Sequence, residues 1–94
     1  MSYFPVVNLS RRICRHACET RARLVLARLS ASPRSIAVYV AAVELGLPKG
    51  AVGRSAYGAS SWKGTLRGVL ATCERRRDDH RFDAHIDELA RRAA

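Results

Sequence analysis

Lys63 and Arg67, two cations four residues apart, carry the clearest chemistry in this 94-residue sequence. On a helix this spacing places both side chains on one face. Cationic side chains there can bind phosphate oxygens or base edges, and nearby hydroxyls can hydrogen-bond the same groups. The hydroxyls are those of Ser60, Ser61 and Thr65. The segment predicts an exposed helix whose face suits nucleic acid; the alternative is an ordinary solvated face.

Two more cations and one aromatic residue lie beside this segment. Lys49 and Arg54 flank the preceding turn, where we expect them to contact phosphates and to set affinity, not sequence preference. Trp62 is the only tryptophan. It has two interpretations, contact with thymine methyls or a partner protein, and packing on the neighbouring helix.

The charge balance favours an anionic partner. Seventeen Lys and Arg residues against eight Asp and Glu residues give a net charge of +9 and a pI of about 10.8. Residues 1–77 hold fourteen of the cations and three of the acids, a charge of +11, and residues 78–94 carry −2. A field of this sign attracts phosphates whatever the base sequence, so an anionic partner is expected.

The residues that could hold a metal or perform catalysis form no persuasive set. Cys14, His16 and Cys18 lack a second ligand pair of the kind that zinc sites use, so we predict no metal and no cofactor. No phosphate-binding glycine loop and no nucleophile with a partner base is present, which indicates a protein that is not an enzyme. An odd count of three cysteines favours a reducing compartment, and we expect a cytoplasmic, nucleoid-associated protein.

Helix start and stop residues divide the first half of the chain. Ser10 is the expected cap of a helix that continues to about Ser30, as one long helix or two short ones. Ser32 and Pro33 predict a second start, because serine supplies a capping oxygen and proline lacks only an amide that would be unpaired. Gly46 is the expected stop. The expected buried stripe of this helix consists of Ile36, Val40, Val43 and Leu47.

The second half follows the same pattern. Pro48 opens a short helix, residues 57–61 form a turn, and a serine of that turn can cap a longer helix to about Arg77. Asp79 is expected to cap the last helix, with Asp83 as the reciprocal acid of a capping box. We therefore predict an all-α fold.

These segments define a compact bundle of about five to six helices in one domain over residues 10–94, with a helix-turn-helix at about 48–77. Residues 1–9 contain a proline and no helical period, so we expect a flexible N-terminal arm.

Residues 32–58 resemble the opening of the C-terminal DNA-binding domain of the bacterial replication initiator DnaA. The matching positions are Pro33 to Ala41, Gly46-Leu47, Val52-Gly53-Arg54 and Tyr57-Gly58. The tail from Glu74 through Phe82-Asp83-Ala84 is similar to small stand-alone DnaA-like proteins of alphaproteobacteria. The resemblance implies the DnaA-type helical fold and places Arg34 at the DNA minor groove. The run at 60–66 departs from the family, where only Thr65 is retained in kind, so recognition of the DnaA box is not implied.

Two functions follow as expectations. The first is a double-stranded DNA-binding protein that regulates replication initiation or transcription. The alternative is an adaptor on a DnaA-like scaffold that binds the initiator, its regulators or RNA polymerase through the segment 3–9 or through an exposed Trp62, with little specific DNA binding.

Overall fold

The computed structural model describes the backbone of residues 4–94 and the side chains of residues 15–94. Over that range the chain is helical and contains no strand, which confirms the all-α prediction. The helices are α1 (Phe4–Arg28), α2 (Arg34–Tyr39), a π-helical segment (Val40–Glu44) that continues α2, α3 (Lys49–Tyr57), α4 (Trp62–Arg76) and α5 (His80–Ala93). None of these helices has both the length and the apolar composition that a membrane span requires.

The helix formed by α2 and the π-helical segment lies at the centre of the molecule. Its residues 36–42 are all buried, as expected for a helix with neighbours on every side. α4 packs on α2, α5 packs on the π-helical segment, and α1 packs along α3. The central helix therefore joins the α3–α4 pair to α5.

The π-helical segment alters the end of this central helix. The amide of Leu45 donates to the carbonyl of Val40, five residues earlier, at 3.0 Å. Gly46 then adopts a φ of 67° and ends the helix, as predicted. Val43 was expected in the buried stripe but is 39% exposed. The wider turn explains this error, because an extra residue per turn rotates later side chains away from the α-helical stripe.

The N-terminal boundary of α1 differs from the prediction. The helix begins at Phe4, so Ser10 is an internal residue and not the cap, and residues 4–9 are helical. Proline is tolerated in the first turn of a helix, because its missing amide hydrogen would have no partner there. Pro5 therefore does not delay the helix. The side chains of the expected arm lie outside the described residues.

Three predicted caps have different outcomes. Asp79 caps α5 by accepting hydrogen bonds from the amides of Arg81, at 2.8 Å, and Phe82, at 3.4 Å. Ser32 does not cap α2, because Pro33 occupies the cap position and no side chain caps that end. Ser61 occupies the cap position of α4 without a side-chain hydrogen bond.

Arg77 links three parts of the fold at the end of α4. Its guanidinium donates to Glu44 of the π-helical segment and to Asp83 of α5. This use of Asp83 replaces the reciprocal capping role predicted for it. The buried Tyr39 hydroxyl accepts from Arg77 at 3.2 Å and donates to Glu74 at 2.9 Å. Hydrogen bonds from Arg77 to Glu44, with smaller contributions from Asp83 and Tyr39, raise the pKa of Arg77 above its ordinary value.

Replacing Arg77 with Ala should destabilise the fold, because it leaves Glu44, Asp83 and Asp87 without their partner and weakens the attachment of α5 to the central helix. We expect a loss of about 1–2 kcal/mol in the free energy of unfolding, measured by urea titration. Arg75→Ala is the matched control, since Arg75 is exposed and contacts only Thr72, at 3.4 Å. Equal effects of the two substitutions would show that the Arg77 contacts add nothing to stability.

Titration of Tyr39 should lower the free energy of unfolding at alkaline pH. Burial raises the pKa of its hydroxyl above the ordinary 10.0, and the bond to Glu74 adds to this. Below about pH 10 the folded and unfolded chains both keep the proton; above it the unfolded chain loses its proton first, so stability declines as pH rises. Tyr39→Phe should cost about 1 kcal/mol at pH 8 and weaken this decline. An unchanged alkaline slope in urea titrations would contradict the prediction.

Candidate nucleic-acid interface

The candidate interface is built on α3, α4 and the turn of residues 58–61 between them. Gly58 closes α3 by donating its amide to the carbonyl of Arg54 at 3.0 Å, and its φ of 90° favours glycine. α3 and α4 are thus two packed helices joined by a short turn that contains glycine. α4 has fifteen residues, so it is about 22 Å long.

Trp62 packs directly on the backbone of α3 at Gly53. A Cβ atom placed on Gly53 would lie 2.3 Å from Cε3 and 2.8 Å from Cδ2 of the Trp62 ring. Only glycine allows this contact, which holds the first turn of α4 against the middle of α3. Trp62 is half-buried and packs against the core. Packing on the neighbouring helix is therefore observed, and contact with DNA or a partner protein stays a prediction.

An open cleft of about 470 Å³ lies where the first turn of α3 meets α4. It is lined by Lys49, Trp62, Lys63, Leu66, Arg67 and Leu70. The fold thus brings Lys49 to the two cations singled out from their spacing. All three cations are exposed, and none forms an ion pair with a carboxylate of residues 15–94, the range that contains every acid of the sequence. We call Lys49, Lys63 and Arg67 the cation triad.

The predicted hydroxyl residues are exposed near the start of α4. Ser60 and Ser61 lie in the turn, and Thr65 lies one helical turn further along. The Thr65 hydroxyl is 3.5 Å from the carbonyl oxygen of Ser61, at the outer limit of a hydrogen bond. These groups can therefore donate to another acceptor at little cost.

Arg54 and Arg34 have partners within the protein. Arg54 pairs with Glu19 of α1 at 2.9 Å, and both side chains are about two-thirds buried. Arg54 thus holds α3 on α1, and its pairing with Glu19 leaves less of its guanidinium for the phosphate contact that the sequence suggested. One terminal nitrogen of the exposed Arg34 donates to the carbonyl of Ala56 at 3.1 Å, which ties the start of α2 to the end of α3.

The outer surface of α4 carries two glycines that the sequence reading did not single out. Gly64 and Gly68 are exposed, and a Cβ atom at either position would meet nothing within 4 Å. Their four-residue spacing, the same as that of Lys63 and Arg67, was the available signal. α4 therefore presents a smooth backbone surface beside the cations.

The pKa shifts of other titratable groups near α3 and α4 result from burial and do not indicate a reactive site. Burial raises the pKa of Cys73, which keeps its thiol protonated and unreactive. Burial also raises the pKa of Tyr57, although Arg34 partly offsets the effect. No group of three or more His, Cys, Asp or Glu side chains among residues 15–94 is placed to hold a metal ion.

Replacing Gly53 and replacing Gly68 with Ala should change the free energy of unfolding in opposite directions. Gly53→Ala should destabilise the fold by about 1–3 kcal/mol, because the new methyl displaces the Trp62 ring and the cost exceeds the gain in helix propensity. Gly68→Ala, the matched control, should stabilise by about 0.5–1 kcal/mol, because only the propensity changes. Urea unfolding of both variants measures the difference. Stabilisation by both would refute the close contact at Gly53.

Comparison with protein-family models, with curated proteins and with solved structures finds no match to this chain. The similarity of residues 32–58 to the DnaA DNA-binding domain therefore remains a prediction from the sequence. The functional proposal rests on the geometry of the described residues.

Proposed function

We propose that this protein binds double-stranded DNA through α4 and the first turn of α3, as a DnaA-like regulator of replication initiation or transcription. The observation that carries the proposal is the cation triad, three exposed cations from two helices that meet at one cleft without a carboxylate partner. Such a group attracts phosphates, and α4 has the length and exposure of a helix that enters a major groove.

The distribution of acids supports this surface. Neither α3 nor the first twelve residues of α4 contain an acid. The first acid of α4 is Glu74, which binds the Tyr39 hydroxyl near the opposite end of the helix. Glu19 binds Arg54, and Glu88 binds Arg91 and Arg92. The positive field of the α3–α4 surface is therefore not neutralised by the chain itself.

The smooth face of α4 favours close approach to DNA. A helix without side chains at Gly64 and Gly68 can bring its backbone nearer to the groove floor than a helix with bulky residues there. The same two positions supply no donors to base edges, so base contacts depend on Lys63, Thr65 and Arg67 of α4 and on Ser60 and Ser61 of the turn. Phosphate contacts then provide most of the affinity, and binding should depend strongly on salt.

Binding to a random-sequence duplex of about 20 base pairs tests the proposal, with fluorescence anisotropy at about 50 and 200 mM salt. We expect affinity to fall steeply between the two concentrations. Lys49→Ala should weaken binding to all duplexes alike and reduce the salt slope by about one. Lys63→Ala and Arg67→Ala should also change which duplexes are recovered from a random pool.

Arg91→Ala is the matched control, because it removes one positive charge from α5, where Arg91 pairs with Glu88 at 2.8 Å. It should leave DNA affinity nearly unchanged. Salt-insensitive binding, or an equal loss from Arg91→Ala and the cation-triad variants, would exclude α4 as the binding surface.

A further inference from the structure

The cleft beneath the cation triad has an apolar floor that phosphate binding does not require. The floor consists of Trp62, Leu66 and Leu70 of α4. Leu66 is only 3% exposed, whereas Trp62 and Leu70 are half-buried and open to the cleft. Phosphates are bound by donors and positive charge, so these three apolar side chains suit another kind of ligand.

We propose that this cleft docks an acidic amphipathic segment of a partner protein. A large apolar side chain of the segment fills the floor over Trp62 and Leu70, and flanking Asp or Glu side chains pair with the cation triad. A volume of about 470 Å³ accommodates an anchor of this size. Apolar anchors in a groove with complementary charges at the rim are the usual means of peptide recognition by such surfaces.

Among the described residues, only the Lys63 ammonium lies over the floor, 5.8 Å from the centre of the Trp62 ring. Most of the protein's own carboxylates are engaged elsewhere: Glu44 and Asp83 by Arg77, Glu88 by two arginines of α5, Glu19 by Arg54, Glu74 by Tyr39 and Asp79 by the amides that it caps. The rim is therefore positive and unpaired, which selects an acidic occupant from outside these contacts.

The segment and DNA would compete for the same cations. Under the proposed function, a protein that offers such a segment therefore releases the DNA, which makes the cleft a regulatory site. The docking itself does not depend on DNA binding, but the competition does.

A synthetic peptide of about 14 residues tests the docking, with Phe and Leu four positions apart among Glu and Ala residues. Trp62 lines the cleft and is the only tryptophan, so its fluorescence reports occupancy. We expect saturable binding, and about tenfold or greater weakening when Phe and Leu of the peptide are replaced by Ala. The peptide should also displace the duplex from the protein.

Leu70→Ala separates the two ligands, because it removes floor but no charge. It should weaken the peptide and leave duplex affinity unchanged, whereas Lys63→Glu should weaken both. Val43→Ala, which shortens an exposed apolar side chain on the π-helical segment, is the control and should change neither. If Leu70→Ala does not fold, the two peptides make the same comparison on the wild-type chain.

The outcomes distinguish this proposal from the proposed function. Equal binding of both peptides would overturn the docking, because charge alone would then explain the association. Duplex binding without peptide binding would overturn the docking and leave the DNA proposal standing. Peptide binding without duplex binding would support the docking and refute the DNA proposal. A concentration-dependent change in Trp62 fluorescence without peptide would overturn it in favour of a second copy as occupant.

Discussion

The contact between Trp62 and the backbone at Gly53 is the constraint on which the α3–α4 surface depends. It sets how closely the two helices approach, because the indole ring occupies the space that any other side chain at Gly53 would fill. That approach brings Lys49 to the same cleft as Lys63 and Arg67. The single tryptophan therefore shapes the α3–α4 surface, because its packing determines which charges lie together.

A second set of contacts keeps this surface positive. Arg77 forms ion pairs with Glu44 and Asp83 at the C-terminal end of α4, and the Tyr39 hydroxyl donates a hydrogen bond to Glu74 beside them. The acids that could have neutralised α4 are thus held at one end, where they join α5 to the central helix. Packing of the last helix and polarity of the proposed binding surface are consequences of the same ion-pair network.

Features that depend only on neighbouring residues in the chain were predicted correctly. Gly46 ends its helix and Asp79 caps α5, because both roles depend on backbone geometry within a few residues. The cap predicted at Ser10 was wrong, because proline is tolerated in the first turn of a helix and α1 already begins at Phe4. The burial predicted for Val43 was also wrong, because the π-helical turn interrupts the 3.6-residue period from which that burial was inferred.

The sequence by itself determined the all-α class, the excess of positive charge before residue 78 and the pairing of Lys63 with Arg67 on one helical face. Only the tertiary structure decided that Arg54 is occupied by Glu19, thirty-five residues away, and that Lys49 joins the other two cations over an apolar floor. The physical reason is the distance along the chain over which each effect acts. Periodicity and capping act within a few turns of one helix, whereas the partner of a charged side chain depends on which helices the core brings together.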